Sequence, residues 1–139
     1  MKLRFTAVLT LYQEREDQAK AELGRLEMAR GPLLQVIEAI ATERRAALAG
    51  PVIPALRETL LAFCTAAEVR QRQAQDRLRA HDSLIDKART ALAEAHRART
   101  TIEKLREHDA AEIRRRQDKR EQRQLDELAT RNHLLSMGG

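Results

Sequence analysis

Stepping from Phe5 by alternating four and three residues reaches Leu9, Tyr12, Glu16, Ala19, Leu23, Leu26, Arg30, Leu33, Ile37, Ile40, Arg44 and Ala47, and only three of these thirteen positions are charged. An apolar period of 3.5 residues held over about six heptads is the signature of a helix that packs along one seam. Gly31-Pro32 falls inside it, and a proline removes one backbone donor and crowds the carbonyl four residues back, so a kink or brief break is expected there. The stretch AGPVIPAL at 49–56 reads as a chain reversal, with Gly50 as a left-handed helix cap and Pro54 in the first turn of the next helix. A second period then runs through Leu56, Leu60, Phe63, Ala67, Ala74, Leu78, His81, Ile85, Ala88, Leu92, Ala95, Arg99 and Ile102. It carries alanine where the first carries leucine or isoleucine, and small residues facing large ones interdigitate.

These patterns predict an all-α fold, a long antiparallel two-helix coiled-coil hairpin with a short connector or small helix at its tip. The whole span 1–139 reads as one such hairpin, with a first helix over about 4–48, a connector over 49–55 and a second helix over about 56–136. The arms do not match in length, since the residues after the connector are nearly twice as many as those before it. Either 54–67 forms a separate short helix, with a break near 66–70, or the second helix overshoots the first and leaves its last turns unpaired. In both cases LRETLLAF near the tip and REQRQLDELATR at 120–131 lack a partner within the chain. Leu125 and Leu128, three residues apart in that second stretch, share one helix face. They either close on Phe5, Val8 or Leu9 at a common end or are offered to another protein.

Composition narrows the class. Aromatic residues make up 2 % of the chain and charged residues 34 %, with no Trp, which is the bias of long helices rather than of a globular core. The net charge of +5 is a small difference between 26 basic and 21 acidic residues, mostly interleaved as on a solvated helix face. The densest basic run, RRRQDKREQR at 114–123, has no aromatic side chain nearby on which bases could stack, so no nucleic-acid partner is expected. Its arginines fit an acidic protein surface better. Pairs at the favourable spacing, Glu16 with Lys20, Glu112 with Arg116 and Glu127 with Arg131, support the helices.

Candidate chemistry is sparse. His81, His96, His108 and His133 share no metal-ligand spacing, and no glycine opens a phosphate loop. Asp82 and Asp86, four apart, are surface charges unless a cleft desolvates them. His81 on the seam reads as a tolerated core histidine. No enzyme, cofactor or metal site is expected. Cys64 is the single cysteine, the first residues lack the apolar run of a signal peptide, and no stretch is apolar enough to span a membrane, so the expected location is cytoplasmic.

FTAVLTLYQEREDQAKAEL at 5–23 and REQRQLDELATR at 120–131 resemble the amino-terminal and carboxy-terminal patterns of the flagellar FliJ family. The YscO-type proteins of virulence secretion systems are close cousins. The resemblance implies a coiled-coil stalk of a type III export apparatus, peripheral to the inner membrane through its partners. Those partners would be the export ATPase hexamer, the export gate membrane protein and export chaperones. On that basis Phe5, Leu9, Arg120, Arg123, Leu125, Asp126, Glu127, Leu128 and Arg131 would meet the ATPase. Leu56, Leu60 and Phe63, spaced four and three on one stripe, would meet the gate, unless they fold back on Ile40 and Ala47. A generic coiled-coil tether and a basic nucleic-acid-binding helix are the competing readings.

Overall fold

A computed structural model describes residues 4–138. Residues 1–3 and 139 of the expected span lie outside the described residues. The chain is a helical hairpin: α1 covers Thr6–Ala49, a single 3-10 turn covers Pro54–Leu56, and α2 covers Arg57–Met137. No strand occurs among the described residues.

Of the kink or brief break expected at Gly31-Pro32, the break does not occur: α1 continues through it. The reason is orientation. Pro32 faces solvent, and the carbonyl it deprives of a donor is that of Met28, a residue 82 % exposed, on the side of the helix where losing that bond costs least. Gly50 ends α1 but does not take the left-handed conformation predicted for it, since no described glycine has a positive φ. Pro51 explains this: it restricts the residue before it to extended conformations, and it has no N–H to close the usual capping bond. Pro54 opens the 3-10 turn, whose Leu56 N–H donates to the Ile53 carbonyl at 2.9 Å, and Glu58 places a negative charge in the first turn of α2. α2 is unbroken through 66–70, so the second of the two length options holds: α2 has 81 residues against 44 in α1.

All thirteen α1 positions reached from Phe5 are buried or half-buried. On α2 a continuous protected stripe runs through Leu60, Cys64, Ala67, Gln71, Ala74, Leu78, His81, Ile85, Ala88, Leu92, Ala95, Arg99, Ile102, Arg106, Asp109 and Ile113, again alternating by four and three, with flanking residues such as Glu68 and Asp82 also half-buried. Two corrections follow. Cys64 takes the place given to Phe63, and the period does not stop at Ile102 but runs on through polar residues to Ile113.

The chain divides into two compact units, one of residues 1–15 with 95–139 and one of residues 16–94. In the second, Ile40 packs with Ala67 and Ala74, with Ile37 against them. Ala67 has no exposed surface at all, because only a side chain this small lets the helices approach at that level. Arg30 Nε donates to Asp82 at 2.8 Å and Arg44 Nη2 to Glu68 at 2.8 Å. Arg30 and Arg44 are fourteen residues apart and so are their partners, in reverse order, as one fixed antiparallel register requires. His81 Nε2 lies 2.5 Å from the Leu26 carbonyl, a histidine satisfied by main chain inside the seam. In the first unit α1 contributes Phe5, Leu9 and Tyr12, and α2 the positions from Ala95 to Ile113.

A Cβ added at Gly31 meets nothing within 4 Å, and neither helix packs on Pro32. Replacing Gly31 by Ala should therefore stabilise the hairpin by roughly 0.5–1 kcal/mol and Pro32 by Ala by up to about 3 kcal/mol. Thermal melting of Gly31→Ala/Pro32→Ala checks this, and a melting temperature at or below that of the parent chain would refute the solvent-facing account of the proline.

Candidate partner-binding surfaces

Beyond Ile113 every described residue is exposed. Continuing the seam period lands on Arg116, Arg120, Arg123 and Glu127 and then on Thr130, Leu134 and Met137, so the face that α1 covers farther up the helix turns charged and then apolar, exposed throughout. Leu125, Leu128, Asn132 and Leu135 form a separate run at spacings of three, four and three, rotated from the seam by roughly 130–155°, close to the opposite face of the helix. Leu125 is 60 % and Leu128 51 % exposed. They do not close on Phe5, Val8 or Leu9. Leu9 is buried in the seam and Phe5 is half-buried, while Leu125 lies twelve residues past Ile113, about 18 Å along the helix. The structure therefore separates Phe5 and Leu9 from Arg120, Arg123, Leu125, Asp126, Glu127, Leu128 and Arg131. Within this last stretch Asp126 Oδ1 accepts from Gln122 at 3.1 Å. Glu16 with Lys20 and Glu112 with Arg116 form the expected ion pairs, whereas among the described residues Glu127 and Arg131 form none.

Where α1 begins, Asp109 reaches across from α2. Its carboxylate accepts three bonds from Arg4: the main-chain N–H at 3.0 Å, Nε at 3.0 Å and Nη2 at 2.7 Å. Asp109 is 5 % exposed, and α1 has no acidic residue in its own first turn, so the negative charge at this helix start comes from the other helix. Phe5 follows at a φ of 67°, unusual for a bulky residue, with its carbonyl accepting from Leu9 N–H at 2.7 Å. The side-chain bond from Arg4, followed by its main-chain bond, holds the Asp109 carboxyl below the usual carboxylate range, and the bond from Arg30 does the same for Asp82. Asp109 was not among the candidate residues, since a search for apolar periodicity stops at Ile102. Its signal was positional: an aspartate seven residues past a seam isoleucine and four before another.

At the connector the predicted stripe divides. Leu60 turns half into the seam, whereas Leu56 and Phe63 stay exposed, joined in exposure by Leu48, Val52, Ile53 and Leu61. In the same unit a surface groove of about 410 Å³ is lined by Glu27, Arg30, Asp82, Ile85, Asp86 and Arg89. Its charges answer one another, Asp82 to Arg30 and Asp86 and Glu27 to Arg89, so Asp82 and Asp86 share neither a proton nor an ion. No described group of three His, Cys, Asp or Glu side chains could hold a metal, and no described helix is long and apolar enough to cross a membrane.

A two-helix hairpin whose free chemistry is a charged, leucine-bearing helix and an apolar connector defines a coiled-coil protein that acts through surfaces. The family model described as "Flagellar FliJ protein" matches residues 1–138, and the chain belongs to that family. Membership implies a component of the flagellar export apparatus. No curated protein and no solved structure matches the chain.

The exposures at the connector make a testable distinction. Leu60→Ala should lower the melting temperature more than Phe63→Ala, since Leu60 lies in the seam and Phe63 keeps 38 % of its surface exposed. Equal losses from both would place Phe63 in the core. The depressed carboxyls of Asp82 and Asp109 set the acid limb: charged above their unfolded range they stabilise the fold, and that contribution is lost as pH falls through their lowered folded values. Asp82→Asn/Asp109→Asn should therefore show a flatter stability profile at acid pH than the parent chain in pH-resolved melting, and parallel profiles would contradict the assignment.

Proposed function

We propose that this chain is the central stalk of the flagellar export ATPase, held in the cytoplasm at the inner membrane through its partners. In this reading the free end of α2 enters the ATPase hexamer and the connector end meets the export gate, with export chaperones as further ligands. One observation supports it: residues 114–137 are helical and all exposed, and although Leu134 and Met137 keep the phase of the seam, Leu125, Leu128 and Leu135 lie on another face of the helix. A helix that only completed the hairpin would keep its apolar residues in phase. Arg120, Arg123, Leu125, Glu127, Leu128 and Arg131 supply the contact surface, leucines for anchorage and charges for a rim that limits self-association. Phe5 and Leu9 act from behind it, by holding α1 on α2. At the other end Leu56 and Phe63 are the exposed apolar side chains for the gate, with Leu60 supporting them from the seam.

ATP turnover by the purified export ATPase tests the first contact with three chains side by side: the parent, Leu125→Ala/Leu128→Ala, and Arg120→Glu/Arg123→Glu. Both variants should stimulate turnover less than the parent at unchanged melting temperature, because exposed side chains contribute little to the fold. Equal stimulation by all three would end the stalk reading for this segment. Loss from the arginine variant alone, with affinity for nucleic acid falling log-linearly with salt, would instead favour a basic nucleic-acid-binding helix.

A further inference from the structure

In the unit that contains the start of α1, that helix gives the seam three side chains, Phe5, Leu9 and Tyr12, and only Leu9 is buried. The last five α2 positions facing it are Arg99, Ile102, Arg106, Asp109 and Ile113, of which two are apolar. This stretch of seam also carries costs. Arg106 keeps its Nε buried with no hydrogen-bond partner. Phe5 holds a left-handed backbone that a bulky side chain adopts only when its surroundings impose it. Against these costs stand the three bonds from Arg4 to the buried Asp109 carboxylate, two of them a guanidinium fork. The two halves of this clamp are unlike: Asp109 is enclosed, with 7 % of its side chain exposed, while the Arg4 side chain is 71 % exposed.

The geometry points to a releasable latch, in which Arg4 and Asp109 close the first turns of α1, residues 4–15, onto α2 and so set how much of α2 is free. With the latch closed, the free face of α2 begins after Ile113. With it open, the free face extends back to Ile102 and gains two isoleucines in the phase of the seam, a surface different from the out-of-phase leucines farther along. Because the left-handed Phe5 and the unpaired Arg106 nitrogen both favour opening, the charge on Asp109 decides the balance. The latch stands on the geometry of the free chain and needs no partner, so its test is independent of the stalk reading.

Amide hydrogen exchange on the full chain reads the latch directly. In Asp109→Asn the amides of residues 9–15 should exchange on the order of tenfold faster, and those of residues 20–47 should be unchanged. A thiol introduced as Ile102→Cys in a Cys64→Ser background should react on the order of tenfold faster when Asp109→Asn is added. Arg4→Ala removes the exposed half and should shift both readouts in the same direction by less, since its main-chain N–H remains. It also decides the matter if Asp109→Asn fails to fold. Unchanged exchange at 9–15 with unchanged labelling at position 102 would overturn the latch. Faster exchange spread equally over 20–47 would overturn it too, because the clamp would then belong to the global fold.

Discussion

An isoleucine on α1 is buried only where α2 offers something small to receive it, and that complementarity organises the hairpin. Ile40 lies against Ala67 and Ala74, and the complete burial of Ala67 brings the helices close enough that a larger residue would push them apart. An alanine-rich second period is therefore the counterpart of the first and not a weaker copy of it. Because 3.5 residues per repeat keep such positions on one face, the pairing persists as long as both helices supply them. Where α1 begins, the supply ends, and α2 continues exposed from Arg114 onward.

Apolar packing of this kind is tolerant of slippage by a heptad, since one leucine or alanine resembles the next. Polar side chains at the seam remove that freedom. Arg30 to Asp82, Arg44 to Glu68 and His81 to the Leu26 carbonyl are half-exposed and contribute little energy each, yet every one would lose its partner after a shift. Asp109 is the most demanding of them, for a buried carboxylate without Arg4 would be left uncompensated. Register is thus fixed by groups that an inventory of hydrophobic residues passes over.

The division between seam and surface also organises function. Charges inside the groove around Asp82 and Arg89 are paired among themselves, which leaves the unpaired arginines and out-of-phase leucines after Ile113 as the chemistry open to a partner. A member of the flagellar FliJ family built this way has exposed surfaces to offer. The connector gives a second, apolar surface because Pro51 and Pro54 hold Val52 and Ile53 out of either helix.

The all-α hairpin, the turn at 49–56, the α1 seam from Phe5 to Ala47 and the resemblance carried by 5–23 and 120–131 were legible in the sequence, because a repeat of 3.5 residues is a property of one chain read in order. The phase of α2 near Phe63 was not, since Phe63 and Cys64 are both apolar and lie four and three residues before Ala67, so the period alone does not decide which turns inward. The extent of α1 across Pro32 was legible from the surviving period, but whether the helix breaks there was not, for a proline is tolerated or disruptive according to which side of the helix meets water. So was the clamp of Arg4 on Asp109, 105 residues apart, since no local pattern can register a bond between residues that meet only after the chain has reversed. One-dimensional periodicity determined which faces pair; the register in which they pair, and therefore which leucines remain free, was decided by side-chain size and charge across the seam.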